Sequence, residues 1–157
     1  MKLRRATYRH IEAEIYAYHD TCRAIRELRE RIIHSSSREE AYISAVGDDG
    51  YASSAVEQRA TQLADNILLR EMERITKAIA DTYSRASDQT RLVVWIKYGL
   101  ILEGWRPPAE LEEKLRRTNR HNLSARDMAW MLGVDESTFH RHRSGFVYGV
   151  AERLGWW

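Results

Sequence analysis

The chain has 157 residues, 43% of them hydrophobic and 31% charged, and a formal net charge of +2. That length and apolar content suit one or two small units with a buried core and exclude a low-complexity or disordered polypeptide. Only 2 prolines and 8 glycines interrupt a chain rich in Ala, Leu, Ile, Arg and Glu, so the expected fold class is all-α.

The single cysteine, Cys22, has no partner for an intramolecular disulfide, and a reducing compartment is its simplest setting. The basic opening MKLRRATYRH is followed by no apolar leader core, and no run approaches the ~18 apolar residues of a membrane span. The expectation is a cytoplasmic protein with no membrane partner. Charge is uneven: residues 1–34 carry 8 basic and 5 acidic groups, 35–90 carry 6 and 10, and 91–157 carry 11 and 8. The acid-free run Lys114, Arg116, Arg117, Arg120, Arg126 is a candidate polyanion-binding patch or, equally, a solvated helix face.

In chain order, Tyr8, Ile11, Ile15, Tyr18, Cys22, Ile25 and Ile32 alternate in steps of three and four, which predicts one long helix over about 7–33. HSSSREEAYISAVGDDGYASS loses the period and gathers Ser, Gly and Asp, as a mobile connection does. Ser54 and Glu57 have capping-box spacing and open a second long helix, its stripe traced by Val56, Ala60, Leu63, Ile67 and then Leu68, Met72, Ile75, Ile79. These two helices should form an antiparallel hairpin. A third helix starts at Ser87–Asp88, is apolar over most of its circumference, and is stopped by Gly104 and Pro107–Pro108. Pro108 then begins a short fourth helix with Leu111 and Leu115 inward.

The stretch SARDMAWMLGVDESTFHRHRSGF, 124–146, has the pattern of a helix-turn-helix. Ser124 and Asp127 repeat the capping spacing, Ala129 is small where two helices cross, Gly133 permits a positive φ at the turn, Val134 plugs the gap and Asp135 caps the next helix. With Phe139, Phe146 or Val147, Val150 and Leu154 inward, the first half of that helix turns Ser137, Thr138, His140, Arg141 and Ser144 outward. Those side chains are the candidates for reading base edges in a major groove, and Lys114, Arg116, Arg117, Arg120, Arg126 and Arg143 are the candidates for phosphate contact. At position 142, where a third inward apolar residue is usual, stands histidine. Either His142 packs partly buried or Arg143 lies alongside the core.

The chain resembles the RinA-like phage transcriptional activators, whose C-terminal helices look like the promoter-reading part of sigma factors. The resemblance is best over LSARDMAWMLGVDESTFHRHRSGFVYGVAERLG and extends over SSAVEQRATQLADNILLREMERITKAIADTYSRASDQTRLVVWIKYG. It implies sequence-specific double-stranded DNA binding upstream of phage late or packaging genes, with the helical hairpin serving assembly or RNA polymerase contact. The segment EGWRPPAELEEKLRRTNRH is longer than the family's usual connection. The implied organisation is a hairpin over 1–85 and a helix-turn-helix DNA-binding domain over 86–157.

No nucleophile elbow, phosphate loop or paired-carboxylate setting is present, so no catalytic residues, cofactor or enzyme activity are expected. His140 and His142 face different directions on a helix, and no metal site is expected. Trp95, Trp105 and Trp130 lie in apolar stretches and read as packing residues, while Trp156 and Trp157 should fold back or bury in a second subunit. A homodimer through the long helices or these tryptophans fits the pattern, as does a monomeric hairpin. Two other readings remain open: a small terminase-type DNA-packaging protein, and a helical protein-interaction adaptor that does not bind DNA.

Overall fold

The computed structural model describes residues 2–43 and 52–157, and places side chains for 2–35 and 55–157. The described residues form seven α-helices and one 3₁₀ turn, with no strand: α1 Arg5–Tyr16, α2 Tyr18–Ile43, α3 Ala52–Ser84, α4 Asp88–Tyr98, α5 Ala109–Arg116, the 3₁₀ turn Arg120–Asn122, α6 Ala125–Leu132 and α7 Glu136–Leu154. The fold class is therefore all-α, as composition requires. The chain divides into two compact units, one of Met1–Tyr18 with Lys77–Trp157 and one of His19–Thr76.

In the unit spanning 19–76, Arg29 donates through Nε to Glu73 Oε1 at 3.0 Å, joining α2 to α3. Ile25, Leu28, Ala55 and Ile75 are buried. Over the first half of α3 the inward side is rotated from the stripe that periodicity suggests: Val56, Leu63 and Ile67 are 65%, 62% and 60% exposed, whereas Gln62, Asp65 and Leu69 are half-buried. From Met72 onward the expected stripe does face inward, with Met72 half-buried and Ile75 buried.

The other unit is organised around α4 and α7. Helix α4 opens at Ser87, whose Oγ accepts from the Thr90 amide, and buries Val93, Val94, Trp95, Ile96 and Tyr98. Val93, Trp95 and Ile96 join Leu115, Met128, Ala129 and Phe139 in one core, with Trp105 and Leu111 packed against it. Helix α7 packs on α4, α6 and α1. Its long buried face runs through Phe139, Phe146, Val147, Val150, Ala151 and Leu154, so Phe146 and Val147 are both inward. Ile11 and Ile15 of α1 are 0% and 1% exposed. Burial of that many large apolar side chains supplies the main favourable term in this unit's stability.

Several boundaries differ from those the sequence predicts. Instead of one helix over 7–33, Ala17 at φ −84°, ψ 0° separates α1 from α2. The Ala17 amide still donates to Ala13 O at 3.0 Å, so this is a one-residue irregularity. Helix α2 continues past Ile33 to Ile43, through serines followed by the good helix formers of REEA. The rest of the expected connection, residues 44–51 with GDDG among them, lies outside the described residues. Helix α3 begins at Ala52, two residues before the expected Ser54 cap. Helix α4 ends at Tyr98 rather than near Gly104, because Gly99 takes a left-handed φ of 71° and donates to Trp95 O. A Cβ at Gly99 would also lie 2.6 Å from Arg120 Nη1, so the guanidinium would have to shift in addition to the backbone strain. Pro108 is the N-cap of α5 rather than its first residue. Finally, the division into units falls at 18/19 and 76/77, not at 85/86: α1 buries its apolar face on α7, which draws the N-terminus into the C-terminal unit.

Candidate nucleic-acid interface

The geometry of residues 124–154 follows from three local devices. Ser124 Oγ accepts from the Asp127 amide at 3.1 Å, and Asp127 Oδ2 accepts from the Ser124 amide at 3.1 Å, a reciprocal capping box that starts α6. Gly133 ends α6 at φ 69°, the left-handed region that glycine enters without steric penalty. The Val134 amide then donates to Ala129 O at 3.0 Å, which closes the turn. Asp135 caps α7, accepting from the Thr138 amide. Ala129 is 2% exposed at the α6–α7 contact and Phe139 is 0% exposed beneath the first turn of α7.

Asp135 also accepts hydrogen bonds from the Ser137 and Thr138 hydroxyls, the latter at 2.5 Å. Those two hydroxyls hold its carboxyl down to about 2, against an ordinary 3.8. Ser137 is thus exposed with its donor engaged, and Thr138 is half-buried with its donor engaged. His140 is exposed, with Nε2 3.5 Å from Glu136 Oε1 and its ring edge-on to Phe139. Arg141 is exposed. Ser144 is half-buried, its Oγ 3.4 Å from the Tyr8 hydroxyl of α1.

Arg143 lies alongside the core. Its Nε and Nη2 reach Glu12 Oε1 at 2.8 and 2.6 Å, and the Tyr98 hydroxyl donates to the same oxygen at 2.5 Å. Burial works to lower the Arg143 pKa, but the bonds to Tyr98 and Glu12 outweigh it and hold the guanidinium above its ordinary range. His142 is half-buried as well, with Nδ1 2.9 Å from Thr90 Oγ1. Both alternatives that the unusual histidine raised therefore occur together.

Compared with protein-family models, curated proteins and solved structures, the chain matches none.

Of the basic run, Lys114, Arg116, Arg117 and Arg126 are exposed. Arg116 and Arg117 share Glu113 at 3.8 and 3.2 Å. Arg120 is half-buried, burial pushes its pKa down, and its Nε is enclosed without a partner. It supports the Gly99 turn more than it meets solvent. Trp130 is not a packing residue: it is 81% exposed. Met128, Ala129 and Leu132 take the inward positions of α6, and 100° per residue turns Trp130 away from them. Trp156 folds back, its ring 5.0 Å from that of His10, while Trp157 stays 50% exposed. Two cations outside the predicted set, Arg85 and Arg153, share a crevice with Arg141. Arg85 lies in the turn after α3 and Arg153 near the end of α7, and no spacing rule connects them.

Proposed function

We propose that the protein is a sequence-specific DNA-binding transcription regulator of the RinA-like phage activator type, with α6 and α7 as its helix-turn-helix. The supporting observation is the first two turns of α7. Phe139 anchors them in the core while Ser137, His140 and Arg141 stand exposed on the other side, on a helix that follows a glycine turn. That is how a recognition helix offers side chains to a major groove. Arg141 is the principal base reader, since a guanidinium bonds guanine bidentately. His140 and Ser137 assist, and Thr138 and Ser144 have smaller parts because one serves the cap and the other meets α1. Lys114, Arg116, Arg117 and Arg126 contact phosphates, while Arg120 and Arg143 serve the fold. RNA polymerase is the expected second partner.

The test is selection from random duplex DNA at two salt concentrations, with Arg141→Ala alongside. A site-specific reader enriches one motif. In the variant, affinity for that motif falls by about 1–3 kcal/mol with relaxed preference at one base pair. Equal loss on random DNA would reduce Arg141 to a backbone contact, and no binding at low salt would remove the reading altogether.

A second reading, the small terminase-type packaging protein, draws on one observation. The exposed stripe of Val56, Ala60, Leu63 and Ile67 on α3 has the three-and-four spacing of an assembly seam. A closed ring by light scattering favours packaging. A dimer favours the regulator, whose two recognition helices would then meet successive major-groove faces.

A further inference from the structure

The C-terminal end of α3, the start of α4 and the outer flank of α7 enclose a crevice of about 310 Å³. Arg85, Arg141 and Arg153 line it from separate positions, together with Ser87, Thr90 and His142. Among the described residues, none of the three guanidinium groups has a carboxylate within 4.0 Å. Asp81, paired with Lys77 at 2.6 Å, acts on Arg85 and Arg153 only from beyond ion-pair distance, and Asp88 is 87% exposed and turned toward Arg91 at 4.0 Å. Arg153 spends one donor on Gly149 O at 3.0 Å, which fixes its head without neutralising it. Three like charges held in one concavity repel each other unless an anion sits among them.

The polar atoms on the third wall are set for the same purpose. Ser87 Oγ is 3.0 Å from Thr90 Oγ1, which is 2.9 Å from His142 Nδ1. This chain fixes the imidazole and leaves Nε2 with no partner among the described residues. The first amides of α4 open beside Ser87, and a helix start adds its partial positive charge to that of the arginines. Gly145 lines the mouth, and a Cβ there would meet nothing within 4 Å. Planar guanidinium forks suit tetrahedral oxyanions, which they bond bidentately.

We infer that this crevice holds a phosphate group through Arg85 and Arg153, with Arg141 left for the base contact proposed above, and that the group is a backbone phosphodiester of DNA bound along α7. The choice of DNA rests on the function proposed above; the phosphate chemistry rests on the crevice alone. Arg85 and Arg153 then extend the contact with the duplex past the first two turns of α7, to residues that no sequence motif marks.

The experiment follows amide resonances of the full chain during titration with inorganic phosphate and, separately, with the selected duplex. It uses wild type, Arg85→Ala, Arg153→Ala and Gly145→Glu. A Cβ at Gly145 meets nothing within 4 Å, so the glutamate is introduced where the backbone has room for a side chain, and the thermal midpoint of the variant shows whether the fold is retained. The inference expects shifts at Thr90 and Gly145 on adding either ligand to wild type, and their loss in Gly145→Glu. Each arginine variant should bind the duplex several-fold more weakly, and the slope of log K against log salt should fall by about 0.9 per lost contact. Phosphate binding at these residues without any DNA binding supports the site with free phosphate as its source, and fails the DNA function. DNA binding with unchanged affinity and slope in both arginine variants overturns the site and leaves the function standing. Absence of response to phosphate and duplex alike overturns both.

Discussion

Arg143 and Glu12 illustrate how an ion pair draws a cation of α7 away from the exposed set. Their side chains are 21% and 14% exposed, so removing the carboxylate leaves a guanidinium partly enclosed with only the Tyr98 hydroxyl beside it. Glu12→Ala should therefore destabilise the fold by about 2–3 kcal/mol, read by denaturant unfolding. A change below about 0.5 kcal/mol would show that water replaces the carboxylate freely. Asp135 gives a pH prediction. Its pKa is lowered to about 2, so the stabilisation it brings is complete above its ordinary value and is lost as pH falls through the lowered one. Protection of the Thr138 amide, measured against its intrinsic exchange rate at each pH, should hold at pH 5 and fall as pH approaches 2. In Asp135→Ala that protection should be low at both. The capping roles of Ser124, Asp127 and Asp135 were legible because a cap is a short-range pattern. That Arg143 lies alongside the core was one of two alternatives the sequence offered; its pairing with Glu12 was not legible, since that partner stands 131 residues away.

At the scale of the element, glycines separate backbone demand from packing demand. Gly133 has φ 69°, and a Cβ there would meet nothing within 4 Å, so Gly133→Ala costs only the left-handed conformation, about 1–2 kcal/mol. Gly145 and Gly149 both lie inside α7, yet they should respond oppositely to alanine. Gly145 has open space, and its substitution should stabilise by about 0.5–1 kcal/mol through helix propensity alone. At Gly149 a Cβ would lie 2.9 Å from Thr82 Cγ2, a contact that offsets that gain. Thermal midpoints of the two variants check the pair: equal rises would show that Thr82 yields at little cost. Helix α3 shows the complementary limit. Periodicity chose Met72 and Ile75 correctly over its second half, but over its first half it chose Val56, Leu63 and Ile67, whereas Gln62, Asp65 and Leu69 lie further inward. A period marks the inward face only where that face is itself apolar.

For the molecule as a whole, the decisive contact is between α1 and α7, near opposite ends of the chain. Ile11 and Ile15 are buried and the Leu3 amide donates to the Tyr148 hydroxyl at 3.1 Å. Removing residues 1–18 should lower the thermal midpoint of the unit that contains α7 and expose its flank around Val147 and Ala151. An unchanged midpoint would show α1 to be an accessory. The sequence by itself determined the helical class, the caps of α4, α6 and α7, the Gly133 turn and the residues under the first turn of α7. Those features depend on backbone sterics, side-chain-to-backbone bonds within a few residues and the period of one helix. Only the tertiary structure decided which side of the first half of α3 turns inward, that Trp130 is exposed while Arg143 is engaged, that the N-terminus joins the C-terminal unit, and that Arg85, Arg141 and Arg153 share one crevice. Each of these depends on which surfaces meet across long separations, where burial of apolar area outweighs any local preference.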